Sequence, residues 1–251
     1  MKYAANLSLL WPELPYLDRF EAAADAGFEA VEILFPYEVA AKETQRALLS
    51  HGLELILINA PPPNYTGGDP GYAAVVGGET RFQHDMRRAF RYAEALRPRF
   101  IHVMAGKAFG ELARDTFVRN LRWAADAAPP GLILTIEPLC AQTMPGYFLN
   151  DYALAKSILK EVGSGNVALQ YDSFHAHMLH GDAEGVYLRY SDLIRHVQIG
   201  DAPARNAPGD GVINFGALFG VLRDNGYSGW ISGEYHPGKP TEETLGWRDL
   251  L

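Results

Sequence analysis

Eight short runs rich in β-branched and aromatic residues alternate with longer segments of helical period, and this alternation restricts the fold more than any other feature. The runs fall at 3–9, 28–34, 53–59, 99–104, 131–137, 166–172, 194–199 and 229–234. Between them, Leu17-Phe20-Ala24, Ala40-Gln45-Leu48-Leu49, Phe82-Met86-Phe90-Tyr92-Leu96 and Phe117-Leu121-Ala124-Ala125 each set apolar groups roughly on one helical face. A helix over 152–162 is expected to start after Asn150 as its N-cap and to stop before Gly163. Another is expected from Asn214 to Asn225, closed by Gly226, and Gly27, Gly52, Gly131 and Gly229 suit turns that need positive φ before a strand. Strand–helix alternation builds a parallel sheet with right-handed crossovers and helices outside it. Eight units favour an α/β fold of the closed (β/α)8 TIM-barrel type, in a single domain over 1–251. An open doubly wound sheet accounts equally well for six or seven such units. The length of 251 residues suits a barrel, which typically takes about 250.

Composition excludes some functions. The chain is 48% hydrophobic and 21% charged, with a formal net charge of −8. A nucleic-acid partner is not expected, because neutralising phosphates takes a basic face. There is one cysteine, Cys140, so no intrachain disulfide can form, which fits a reducing compartment. Without a signal-peptide pattern or a run of 18 or more apolar residues, a cytoplasmic protein with no membrane partner is expected. A homo-oligomer is left open. The stretch Ala60 to Thr80 holds too many Gly and Pro for regular structure, and after the third strand it belongs at the catalytic mouth of a barrel.

In such barrels the reacting groups sit at the C-terminal strand ends. The last four strands finish on Glu137, Asp172, Gln198 and Glu234, each after an apolar stretch. A single strand-end glutamate is usually a solvated loop residue. Three carboxylates on one side of a barrel mouth repel one another, and burying them calls for a cation. A divalent metal meets that need. If the Gln198 amide joins, the ligand set is all oxygen, which favours Mg²⁺ or Mn²⁺ over Zn²⁺. Lys107, just beyond strand four, and Arg205, in the loop after strand seven, are alternative partners for a substrate carboxylate, although a solvated surface Lys107 reads nearly as well. Asn59 ends the third strand and is placed to line the pocket, whereas His102 reads as interior packing.

Taken in order, the motifs Ala5-Asn6-Leu7-Ser8, Phe28-Glu29-Ala30-Val31-Glu32 with Phe35-Pro36-Tyr37, Gly106-Lys107 and Ile136-Glu137-Pro138 are characteristic. So are Gln170-Tyr171-Asp172 with His175, His196-Val197-Gln198-Ile199-Gly200-Asp201, Pro208-Gly209-Asp210-Gly211 and Gly233-Glu234-Tyr235. Over essentially its whole length the chain resembles the hydroxypyruvate isomerase family of the xylose-isomerase-like barrels, together with the closely similar four-carbon 2-oxo-tetronate isomerases. That resemblance implies isomerisation of a small sugar acid, such as hydroxypyruvate to tartronate semialdehyde, through a cis-enediolate. It implies metal ligation at Glu137, Asp172, Gln198 and Glu234, and acid–base roles for Glu137 and Glu234. By resemblance to related ketose 3-epimerases, which carry histidine at position 198, His175 is expected to bind a substrate hydroxyl. The glutamine at 198 speaks against the epimerase branch itself.

Overall fold

The computed structural model describes residues 1–60 and 70–250. Eight parallel strands, β1 (Lys2–Asn6), β2 (Ala30–Ile33), β3 (Glu54–Asn59), β4 (Phe100–His102), β5 (Ile133–Ile136), β6 (Val167–Asp172), β7 (Ile194–Ile199) and β8 (Trp230–Gly233), pair in chain order. The pairing of β1 with β8 closes the barrel. The helices α1 (Asp18–Asp25), α2 (Ala41–Ser50), α3 (Glu79–Leu96), α4 (Glu111–Ala127), α5 (Tyr152–Val162), α6 (Ser173–His180), α7 (Ala183–Tyr190) and α8 (Phe215–Asp224) fill the crossovers. A 3₁₀ segment, Thr241–Leu250, follows β8. Its Thr241 hydroxyl accepts the Trp11 backbone N–H at 2.8 Å, which ties the end of the chain to its beginning. Among the described residues no helix is long and apolar enough to cross a membrane.

All eight expected strands form, with shorter bounds at several ends. The first run stops at Asn6 because the next residues turn: the N–H groups of Leu9 and Leu10 both reach the Asn6 carbonyl. The N-cap of α5 is Asp151 and not Asn150, since the Asp151 carboxylate accepts the Leu154 N–H at 2.9 Å. Asn214 does cap α8, through the Ala217 N–H. Leu49, expected on the buried face of α2, is 77% exposed; Thr44 and Leu48 carry that face. Gly27, Gly52 and Gly131 have positive φ, whereas before β8 it is Gly226 and not Gly229 that takes the left-handed turn. The segment α6–α7 had no expected counterpart.

Of the Ala60 to Thr80 loop, residues 61–69 lie outside the described residues. The part that follows runs against the chain beyond β4, where the Ala74 N–H meets the Ala105 carbonyl at 2.7 Å. Gly106 is needed at this crossing, because a Cβ there would lie 2.3 Å from the Gly71 carbonyl oxygen.

Two cores follow from the period-two alternation of strand side chains. Outward-facing residues such as Val31, Leu134, Leu169 and Val197 pack with the helices in the larger one. Inward-facing Ala4, Ala30, Leu57, Phe100 and Trp230, with Ile133 against them, form a small apolar plug inside the barrel. One step further along the same faces come Asn6, Glu32, Asn59, His102, Thr135 and Ser232, all buried. The interior is thus apolar at the N-terminal end and polar towards the mouth. Buried polar groups are generally partnered: Asn6 donates to Glu32 and Thr135 to Gln170, whereas Asn59 Oδ1, His102 Nε2 and the Ser232 hydroxyl have no partner among the described residues.

Candidate active site

A cavity of about 480 Å³ opens at the C-terminal end of the barrel. Its polar lining includes Asn59, His102, Glu137, Gln170, His175, Arg205 and Glu234. Glu137 and Glu234 each stand one residue past a strand, and Asp172 is the last residue of β6. All three carboxylates are buried. Asp172 also caps α6: its Oδ1 accepts the Phe174 N–H at 2.8 Å. That cap starts the helix at once, so His175 sits on its first turn and faces the same cavity.

Arg205 supplies the positive charge inside the site. Its Nη2 donates to Asp172 Oδ2 and to Glu234 Oε1, each at 2.7 Å. Its guanidinium lies 5.4 Å from the centre of the Phe174 ring, and its backbone takes the left-handed conformation at φ 55°. The preceding motif explains how that loop is held. The Asp201 carboxylate accepts the N–H groups of Ala202, Gly209, Gly211 and Ile213 at 2.8–3.0 Å. Gly211 packs so close to this knot that a Cβ would lie 2.2 Å from the Ala202 carbonyl oxygen.

One guanidinium does not neutralise three carboxylates. Burial, with Asp172 and Glu234 adding to it, pushes Glu137 well above the usual carboxylate range. Burial raises Asp172 despite Arg205, and raises Glu234 to about 8. Glu137 Oε1 and Glu234 Oε2 are buried oxygens with no hydrogen-bond partner among the described residues. Ligand atoms of Glu137, Asp172 and His175 lie within 4.8 Å of one another. This cluster, with Glu137 Oε1 left unpartnered in it, fits a divalent cation.

The two ring nitrogens of His175 have separable roles. Nδ1 accepts the Cys140 backbone N–H at 3.1 Å, so in the neutral ring the proton sits on Nε2. Burial first, and then Arg205, keep the ring neutral by lowering its pKa well below the usual value. Nε2, 3.9 Å from Asp172 Oδ2, is therefore a hydrogen-bond donor aimed into the site. His175 would have to lose that proton before Nε2 could ligate a metal.

Gln198 is fully buried in β7, next to Asp172 in the register. Its Oε1 accepts from Gln170 at 2.6 Å and its Nε2 donates to Glu32 at 2.8 Å. Asn59 lines the cavity with a buried, unpartnered Oδ1. Lys107 is exposed and outside the cavity lining, while Arg205 lies within it. His102, read above as packing, also lines the cavity, with Nδ1 3.6 Å from Glu137 Oε2. Burial holds its pKa down at about 3, with His175 adding to the effect. The sequence motifs contain Gln170, whose Nε2 donates to Glu137 Oε2 at 3.0 Å, and the buried pair Glu32 and His196, but gave none of them a role in the site. The signal that would have found Gln170 and His196 is the same alternation, since each stands two residues before a strand-end polar group.

Comparison with known proteins identifies the family. Residues 20–250 match the xylose isomerase-like TIM barrel family. The chain is 42% identical to the 2-oxo-tetronate isomerase of Cupriavidus necator, over 98% of this chain and 96% of that protein. It is 37% identical to the hydroxypyruvate isomerase of Escherichia coli, over 99% and 98% respectively. A solved structure from Brucella melitensis, described as an AP endonuclease of family 2, is 40% identical and superposes with a TM-score of 0.95 over 99% of this chain and 98% of that one. The chain belongs to the xylose isomerase-like TIM barrel family and, within it, to the hydroxypyruvate isomerase group, and it is an isomerase.

Proposed function

We propose that the protein is a divalent-metal-dependent isomerase of small 2-oxo sugar acids, interconverting hydroxypyruvate and tartronate semialdehyde or acting on a four-carbon counterpart. The observation that carries this reading is the pair of buried glutamates, Glu137 and Glu234, each with an unpartnered oxygen in one site. The relatives named for hydroxypyruvate and 2-oxo-tetronate support the substrate class. Glu137, Asp172, Gln198 and Glu234 would hold the metal, and the oxygen-rich set favours Mg²⁺ or Mn²⁺. When bound, the cation supplies the charge that steadies a developing oxyanion.

The reaction moves one proton between adjacent carbons and one between their oxygens. One glutamate takes the proton from the hydroxymethyl carbon to leave a cis-enediolate, and the other delivers a proton to the neighbouring carbon. Carboxyl groups whose pKa burial lifts above the usual carboxylate range suit both halves of that exchange. His175 Nε2–H donates to a substrate oxygen, and the Asn59 amide orients the other end. Arg205 takes the substrate carboxylate, a role for which it is better placed than Lys107 because it lines the cavity. The net charge of −8 weighs against nucleic-acid chemistry of the kind named for the Brucella structure.

The test is turnover in Glu137→Gln and Glu234→Gln, assayed with hydroxypyruvate, four-carbon 2-oxo acids and C6 ketoses. Each variant should fold and lose at least 10²-fold in turnover. Wild-type turnover in both would end the proposal. Ketoses turned over in preference to the acids would move the protein to the epimerase reading.

A further inference from the structure

Beneath the carboxylates, a buried chain of hydrogen bonds crosses the barrel interior with a fixed direction. Gln170 Nε2 donates to Glu137 Oε2 at 3.0 Å and to Gln198 Oε1 at 2.6 Å. Gln198 Nε2 donates onward to Glu32 Oε2 at 2.8 Å. Asn6 Nδ2 donates to the same Glu32 oxygen at 3.2 Å, and His196 Nε2 contacts Glu32 Oε1. Glu32, Gln198, His196 and Asn6 are all fully buried. Both ends of the chain are carboxylates, which accept hydrogen bonds and, when ionised, donate none.

That polarity decides which atom Gln198 offers. If the amide turned over, its oxygen would face Glu32 Oε2 and its nitrogen would face Gln170 Nε2. Acceptor would meet acceptor at one end and donor would meet donor at the other. With Glu32 in place, the nitrogen is held on the Glu32 carboxylate. Oε1 keeps a second lone pair after accepting from Gln170.

We propose that Glu32 is a positioning residue: by accepting the Gln198 N–H, with His196 holding it from the far side, it makes residue 198 an oxygen donor to the cation site. This rests on the reading of Gln198 as a metal ligand. An outer carboxylate that orients an inner ligand is a common device in metal sites, and its loss typically weakens metal binding about 10–100-fold.

The test is Mn²⁺ affinity, measured calorimetrically without substrate, in Glu32→Gln, Glu32→Asp and Gln198→Leu. Glu32→Gln keeps the shape and removes the obligate acceptor; Glu32→Asp keeps the acceptor and changes the shape. A positioning role predicts that Glu32→Gln weakens Mn²⁺ binding about 10–100-fold and that Glu32→Asp weakens it less. A packing role predicts the reverse order. If Glu32→Gln yields no folded protein, Glu32→Met combined with His196→Leu replaces the buried pair with apolar groups and should show the same loss of affinity. Wild-type affinity in the Glu32 variants, with affinity lost in Gln198→Leu, would overturn the inference and leave the proposed ligand set standing. Wild-type affinity in Gln198→Leu as well would overturn both.

Discussion

Arg205 bridges Asp172 and Glu234, two of the three carboxylates of the site, and its removal gives a measurable test of the site's electrostatics. In Arg205→Gln, Asp172 Oδ2 and Glu234 Oε1 both lose a donor that lies at 2.7 Å. Removing one partner of a buried ion pair leaves an uncompensated charge and costs about 3–5 kcal/mol. For a domain of this size, each kcal/mol moves the midpoint by roughly 2–4 °C. The metal-free variant should therefore melt about 6–20 °C below the wild type at neutral pH. On the proposed ligand set a divalent cation would compete with Arg205 for Asp172 and Glu234 in the wild type, and in the variant there would be nothing to displace. Cation at 100 times its Kd stabilises by about 2.7 kcal/mol, and the gain should be larger in the variant because the apparent Kd falls. The assay is thermal unfolding followed by circular dichroism in EDTA and in excess Mg²⁺ or Mn²⁺. Two outcomes refute the reasoning: a variant that melts within 2 °C of wild type in EDTA, or an equal rise on adding metal in both proteins.

Three further outcomes follow from the same geometry. Glu234 titrates near 8 in the folded protein against 4.5 for a free side chain, so its stabilising contribution is complete below pH 4.5 and is lost as pH rises through about 8. The melting point of the metal-free protein should accordingly fall between pH 5 and pH 8.5, and a saturating divalent cation should flatten that slope; a melting point that rises over this range in EDTA would contradict it. Asp201→Ala strips the acceptor from four backbone N–H groups that hold the Arg205 loop. It should lower the urea midpoint by the equivalent of about 2–4 kcal/mol and raise the KM for the acid substrate, whereas an unchanged KM would separate the loop from substrate binding. Lys107→Ala should leave KM within about twofold of wild type, because the side chain is exposed outside the cavity; a tenfold rise would return the substrate carboxylate to Lys107.

Much of this site was legible in the sequence because Glu137, Asp172 and Glu234 interrupt apolar runs. A carboxylate in that position has few physical reasons to be there. The strands were legible for a related reason: parallel strands covered on both faces read as continuous apolar segments. That same property hides what lies inside them. Gln170 sits within a strand buried throughout and His196 is followed by three buried residues, so their polarity looks like noise until inward and outward faces are separated. Helix α6 was missed because Ser173–His180 has no one-sided apolar stripe; the Asp172 cap initiates it instead. Lys107 and Arg205 follow strands in the same way, and only the knot around Asp201 turns one of them inward.

Stepping back two residues from each strand-end polar group gives an asymmetry that strand ends alone do not reveal. From Glu137, Asp172, Gln198 and Glu234 that step reaches Thr135, Gln170, His196 and Ser232, all polar and buried. From Asn59 and His102 it reaches Leu57 and Phe100, which belong to the apolar plug. Polar depth is therefore two layers on the side of β5 to β8 and one layer at β3 and β4. A cluster of buried carboxylates needs donors beneath it as well as a cation above it, and only the deeper side provides them. Carboxylates moved to the ends of β3 and β4 would rest on Leu57 and Phe100, with no hydrogen-bond donor below to hold them in place.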